Sequence, residues 1–193
     1  MTEPAVDHRR ATAVRNATAI LDATERLLAR HAPLTMAAIA TEAGISRPTL
    51  YAHHKTLADV LEAAVARAVH ASLAAVDAAE PEVGPAAEAL ERTLAASWAH
   101  LGGLDVLARG AAEHLPGEHL HRAHAPLMAR TQRLVRRGQR EGAFRTDLPA
   151  GWLVTTSYAL MRAANDHTRT HRVGRARALA MLTTTVRDLF AAR

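Results

Sequence analysis

TMAAIATEAGISRPTLYAHH, residues 35–54, is the stretch that decides how this chain folds. Thr35 is a good helix N-cap, because its hydroxyl can accept from one of the unpaired amides of a first helical turn. Met36, Ile39, Ala40 and Ala43 recur at helical spacing and form an apolar inner face, with Ala40 small where a second helix must cross closely. Gly44 then ends the helix, since glycine takes positive φ without steric cost. Ile45 plugs the junction. Ser46 is a second N-cap, Pro48 falls in a first turn where a missing amide costs little, and Leu50 points back to the core. Two short helices joined by a sharp turn make a helix-turn-helix, whose second helix enters the major groove of DNA.

The outward side of that second helix carries Ser46, Arg47, Thr49, Tyr51 and His53. Arginine can form paired hydrogen bonds to a guanine edge, and threonine and tyrosine suit phosphates or a thymine methyl. A plain helical hairpin with a glycine cap is the competing reading. It accounts for the caps but not for the polar outer face. The candidate DNA contacts are therefore Thr35, Met36, Ser46, Arg47, Pro48, Thr49, Tyr51, His53 and Lys55.

Working outward, an isoleucine-bearing helix, AILDATERLLARH, precedes this stretch, and a long helix starting near LADVLEAAV follows it. Together, residues 15–65 resemble the TetR family of bacterial transcriptional regulators. Ile39, Ala40, Ala43, Gly44, Ile45, Ser46, Thr49, Leu50 and Tyr51 stand at the family's positions in its order. The resemblance implies an all-α homodimer with a three-helix DNA-binding head and a larger ligand-sensing body. It further implies that Thr35 and Thr49 contact phosphates, that Arg47 and its neighbours read bases, and that Tyr51 packs on the DNA backbone. Two positions depart from the pattern. His54 stands where the family usually has an aromatic residue, replacing an apolar plug with a titratable group. Leu57 stands where it has a lysine. Lys55, the only lysine of the chain, sits two residues earlier; it either reaches the same phosphate from a shifted position or that contact is lost.

Composition agrees with this reading. A chain of 193 residues suffices for a small head and one larger core, divided here into an arm and helix-turn-helix domain (1–56) and a ligand-binding and dimerisation domain (57–193). Abundant alanine and only 3% aromatic residues favour helix throughout. No signal peptide is evident and no apolar stretch is long enough to span a bilayer, so a soluble, cytoplasmic protein without a membrane partner is expected. The absence of cysteine excludes disulfides, thiolate catalysis and cysteine-ligated zinc. Ser46 and Ser97 lack the glycine-flanked elbow of hydrolases, and no carboxylate pair has a catalytic setting, so neither an enzyme nor a cofactor is expected.

The net charge of +5 does not come from the head. Arg9, Arg10, Arg15, Arg26, Arg30, Arg47, Lys55 and Arg67 are nearly balanced by Glu3, Asp7, Asp22, Glu25, Glu42, Asp59 and Glu62. Arg9, Arg10 and Arg15 read either as a basic arm that reaches phosphates or as a solvated tail. The larger excess is Arg130, Arg133, Arg136, Arg137 and Arg140, whose spacing places most of them on one side of a helix opposite Leu127, Leu134 and Val135. A solvated face is the first reading, and an acidic-partner or nucleic-acid surface the second.

About nine helices are expected: 12–31, the two of the helix-turn-helix, 57–79, one from Pro85 to Gly102–Gly103, a short one over 104–113, the arginine helix ending at Gly142, one from Pro149 to about Thr170, and 173–191. The stretch RRGQREGAFRTDLPAGWLVTTSYALMRAA also resembles the TetR body. That resemblance implies that the last two helices pair with their copies in a second subunit. Trp152, Leu153, Thr156, Leu160, Ala164, Met181, Leu182, Val186 and Leu189 are available for such an interface, and a two-fold dimer reads two half-sites of a palindromic operator. An unknown small-molecule effector is the expected second partner, held in an apolar cavity with a few polar anchors. Its candidate residues are Trp98, Leu101, Leu107, Leu127, Met128, Thr131, Trp152, Thr155, Tyr158, Met161 and Asn165. The function expected is thus a ligand-released repressor.

Twelve histidines raise a rival, a metal-responsive regulator. His114, His119, His121 and His124 cluster near Glu118, and His167 and His171 share a helix face. No His-Glu-x-x-His motif accompanies them, and no metal site is assigned. A helical interaction protein without DNA binding is the remaining alternative; it fits the body but not Arg47 and Thr49 on a capped, exposed helix.

Overall fold

Eight helices account for most of residues 3–192, the part described in this computed structural model: α1 (Glu3–Ala29), α2 (Met36–Ala43), α3 (Arg47–His53), α4 (Leu57–Ala78), α5 (Ala86–Ala112), α6 (Gly117–Arg140), α7 (Ala150–Thr170) and α8 (Arg175–Phe190). The fold is all-α, as expected. The two helices expected on either side of Gly102–Gly103 are instead the single helix α5. Two glycines inside a helix cost about 2 kcal/mol relative to alanine. Buried Leu101 and Leu104 flank them and hold the turn in place. A Cβ at Gly102 would make only ordinary contact, 3.6 Å from Nη1 of Arg175. The start of α1 is a second difference. Arg9, Arg10 and Arg15 are exposed helical residues, not a loose arm, and Arg15 donates to the Thr12 hydroxyl at 2.9 Å. Residues 1 and 2 of the expected arm lie outside the described residues.

The chain divides into two compact units, one of residues 1–67 with 106–120, the other of residues 68–105 with 121–193. In the first, α1 contributes Ile20, Ala23 and Leu27 at helical spacing. They pack with Ile39 and Ala40 of α2, Leu50 of α3 and Val60 of α4. Each large apolar side chain fully buried this way stabilises by about 1.5–3 kcal/mol. Ion pairs frame the core. Arg67 of α4 reaches Asp22 at 2.7 Å and Glu25 at 2.6 Å on α1. Arg26 and Arg30 of α1 both grip Glu42 of α2, each at 2.7 Å, and the Arg26 guanidinium, then Arg30, holds the Glu42 carboxyl below its usual range.

The second unit is built on Leu90, Leu94, Trp98 and Leu101 of α5, Leu134 and Val135 of α6, and the inner faces of α7 and α8. Phe144 and Phe190 meet edge to face at 5.4 Å between ring centres. Gly138 lets the Phe144 ring lie directly on α6, because a Cβ there would overlap that ring. Arg137 closes the turn before α5 by donating to the carbonyls of Pro81 (3.2 Å), Glu82 (3.0 Å) and Gly84 (3.0 Å).

Candidate nucleic-acid interface

Each cap read from residues 35–54 is formed. The Thr35 hydroxyl accepts from the Ala38 amide at 3.1 Å, and Gly44 ends α2 at φ 68°, its amide donating back to the carbonyls of Ala40 and Thr41. Ser46 caps α3 by accepting from the Thr49 amide at 3.2 Å, and its hydroxyl lies 2.7 Å from the Thr49 hydroxyl. With Leu50 fully buried beneath it, α3 cannot roll without losing core. Ser46, Arg47, Pro48 and Tyr51 are exposed, and Thr49 and His53 are half-exposed. Tyr51 is 45% exposed, an unusual setting for an aromatic ring with no apolar duty. Thr35 is exposed at the head of α2, whereas Met36 is partly buried against the core of this unit. Arg47 is exposed, and among the described residues no carboxylate pairs with its guanidinium.

Beyond Tyr51 the geometry is set by a device that sequence reading did not single out. Thr56 and Asp59 form a reciprocal box at the start of α4: the Thr56 hydroxyl accepts from the Asp59 amide at 3.1 Å, and the Asp59 carboxylate accepts from the Thr56 amide at 3.0 Å. The same carboxylate accepts from the Lys55 amide at 2.9 Å. Hydrogen bonds from Thr56, side chain first, hold the Asp59 carboxyl below its usual range. Lys55 Nζ donates to the Tyr51 carbonyl at 2.9 Å, so its ammonium sits at the end of α3. His54 is half-buried, and burial, followed by the charge of neighbouring His53, pushes its imidazole pKa down against the pull of Asp59. The signal for the box was present in the sequence as Thr56-Leu-Ala-Asp59.

Residues 20–64 match the family model described as bacterial regulatory proteins, tetR family. That span holds α2, α3 and the buried side of α1, with the exposed polar face of α3 at its centre. Over that span the chain matches the TetR family. About nine-tenths of the chain is similar in fold to solved regulator structures. One is a bacterial regulatory protein in the tetR family from Rhodococcus RHA1, 21% identical, covering 92% of this chain and 98% of that one at a TM-score of 0.76. A second is the TetR-like transcriptional regulator LfrR from Mycobacterium smegmatis in complex with proflavine, with 24% identity, 89% and 94% coverage and a TM-score of 0.70. A third is a protein from Saccharomonospora viridis in complex with choline, with 22% identity, 92% and 98% coverage and a TM-score of 0.76. At these identities the likeness speaks for the fold. No curated protein matches the sequence.

Burial sorts the candidate effector residues of the body. Trp98, Leu101, Leu127, Thr131, Met161 and Asn165 are buried and Met128 and Tyr158 are half-buried, all in the second unit. Leu107 is buried but falls in the first unit. Trp152, 60% exposed, and Thr155 lie on the outer face of α7, because Leu153, Val154, Ser157 and Met161 take its inner face. They cannot line a buried cavity. The Tyr158 hydroxyl is buried and makes no well-formed hydrogen bond among the described residues. Burial pushes its pKa up to about 12, with the nearby Thr131 hydroxyl drawing it back. Leu153, Leu182 and Val186, expected at a subunit interface, are instead core, while Met181 is 49% exposed.

Around Trp98 a polar network ties α5 to α7 and α8. Arg175 stacks over the indole at 4.8 Å and donates to the Trp98 carbonyl at 2.6 Å, and Asn165 donates to buried Asp105 at 3.2 Å. The histidines do not assemble. His119 is held by Glu62 at 2.6 Å, and His167 stacks on His171 at 4.1 Å. Among the described residues, no group of three or more potential ligands is placed to hold a metal ion. No helix among them is long and apolar enough to cross a membrane.

Proposed function

We propose that this protein is a ligand-responsive repressor that binds a palindromic operator as a homodimer in the cytoplasm. The observation that carries the reading is the surface of α3: Arg47, Pro48 and Tyr51 stand exposed on a helix fixed by the Ser46 cap and the buried Leu50. In this reading Arg47 contacts base edges, Thr35, Thr49 and Lys55 contact phosphates, Ser46, Pro48 and His53 border the groove, Tyr51 packs on the backbone, and Met36 supports the contact from beneath. Residues 1–56 then read DNA, and residues 57–193 sense the effector and pair the subunits.

Pairing through α7 and α8 is supported by Trp152 and Met181, large apolar side chains left exposed on those helices. An effector in the body is supported by the unpartnered Tyr158 hydroxyl among apolar residues and by the small molecules bound to two similar proteins. A ligand acts only if it binds the DNA-incompatible spacing of the heads better than the compatible one. The candidate coupling element is α4, which starts in one compact unit and ends in the other.

The test is a gel shift on the DNA upstream of the protein's own reading frame. Binding that weakens steeply with salt and collapses in the Arg47→Ala, Tyr51→Ala double variant is expected. Affinity indifferent to both would refute DNA binding by this face. Sedimentation of a Trp152→Glu, Met181→Glu variant tests the dimer, with a monomer expected and an unchanged dimer ruling that face out.

A further inference from the structure

The second unit holds a cleft of about 410 Å³ between α6 and the turn before α5, bounded by Pro81, Glu82 and Leu134 and lined by Arg130, Arg133, Arg136, Arg137 and Arg140. We infer that this cleft binds a compact polyanion, a small molecule carrying two or more phosphate or carboxylate groups. Its volume lies in the range of small-molecule sites, about 300–1,000 Å³.

The five guanidinium groups are not equivalent. Arg130 is neutralised by Asp77 at 2.8 Å. Arg137 is spent on the carbonyls of Pro81, Glu82 and Gly84, with Glu141 at 3.8 Å, and so makes the turn a fixed wall of the cleft. Arg133, Arg136 and Arg140 are exposed, and no carboxylate among the described residues pairs with them. Glu82 is the only acidic side chain lining the cleft.

Such an arrangement opposes itself. Arg133–Arg137 and Arg136–Arg140 are like-charge pairs four residues apart, and Arg130–Arg133, Arg133–Arg136 and Arg137–Arg140 are three apart. Like charges at these spacings destabilise a helix. The helix dipole offsets only the last turn, where Arg137 and Arg140 lie, and leaves Arg133 uncompensated. A bound polyanion removes the repulsion along the whole row. At the helical rise, Arg133 and Arg140 are about 10 Å apart along the axis, so one anionic group cannot meet both, whereas a chain of anionic groups can. Guanidinium forks suit the paired oxygens of phosphate and carboxylate alike. A solvated basic face would need neither the concavity nor the anchored wall opposite.

The test is calorimetric titration of the full chain with tripolyphosphate, with citrate and with inorganic phosphate, at low and at physiological salt. Tripolyphosphate or citrate is expected to bind more tightly than phosphate, to weaken with salt, and to lose at least about tenfold in affinity in the Arg133→Ala, Arg136→Ala, Arg140→Ala variant. Which of the two binds tells phosphate from carboxylate chemistry. The corresponding triple lysine variant keeps the charge and the fold but not the forks, and an intermediate affinity is expected. The inference is overturned if neither polyanion outdoes phosphate, or if the triple alanine variant, folded by its melting curve, binds as the parent does. It is also overturned if a random-sequence DNA duplex depends on these three arginines while both small polyanions fail to bind. Operator binding by α3 is read separately in the same variants, so failure of the cleft and failure of the DNA-binding reading are distinguishable.

Discussion

Replacing Tyr158 by phenylalanine should make the ligand-free protein more stable. The ring sits in the second unit, and its buried hydroxyl makes no well-formed hydrogen bond among the described residues, the Thr131 hydroxyl of α6 being its polar neighbour. An unpaired buried polar group costs about 1–3 kcal/mol, and phenylalanine removes that group while keeping the shape of the ring. For a chain of this size each kcal/mol moves the melting midpoint by about 2–4 °C, so a rise of at least about 2 °C is expected in calorimetry. The pH dependence carries the same information. Burial raises the phenol from 10.0 to about 12, so the folded state keeps its proton where the unfolded state loses it. Stability should therefore be intact below pH 10 and fall as pH rises from there toward 12, a loss the phenylalanine variant lacks. In a Tyr51→Phe background Tyr158 is the remaining tyrosine, and its absorbance titration at alkaline pH should have a midpoint near 12. A variant that melts at or below the parent temperature would refute the reasoning. The hydroxyl would then be satisfied, and its claim to be an effector anchor would go with it.

Three further outcomes follow from the geometry. Gly138→Ala should cost about 1–3 kcal/mol, because the new methyl meets the Phe144 ring; Gly103→Ala, with nothing within 4 Å of its new Cβ, should instead gain up to about 1 kcal/mol, and paired denaturant titrations would separate them. Ser46→Ala removes the acceptor for the Thr49 amide and should cost about 0.5–2 kcal/mol, together with weaker operator binding in a gel shift. The depressed pKa of His54 means that the unfolded state takes up a proton first as pH falls below 6.5, so the head should lose stability from there downward; in His54→Phe that loss should disappear, leaving the acid loss from Glu42 and Asp59, both of whose carboxyls are held below their usual range.

The head was legible because its determinants are local. Thr35, Gly44 and Ser46 each act on amides or carbonyls within four residues, so the chain order alone states which bonds close. The same logic should have exposed the Thr56–Asp59 box, which has equally short reach. In the body the rules that worked for the head misled. Gly102–Gly103 read as a helix end by local propensity, yet the burial of Leu101 and Leu104 on either side carries the helix through them. Helical periodicity on α7 gave two opposite stripes, one with Trp152 and Thr155 and one with Leu153, Val154 and Ser157, and nothing in the sequence said which faces inward.

That difference bears on how function is distributed over the molecule. A surface that reads DNA has to be presented by short, rigid, locally capped elements, so its chemistry is written in neighbouring residues and survives inspection of the sequence. A site that binds a small molecule is defined by what is left unsatisfied after packing. The orphaned Tyr158 hydroxyl and the unpaired guanidinium groups of Arg133, Arg136 and Arg140 are such remainders, and both become visible only once every neighbour has been placed. Their electrostatic settings are opposite. A neutral phenol in an apolar interior selects for a ligand that offers one hydrogen bond and much apolar surface, whereas a row of open arginines selects for charge and is weakened by salt. Sites so unlike select for different ligand chemistry. If both bind, the protein answers two chemically distinct signals, and effector titrations at low and high salt would pull their contributions apart.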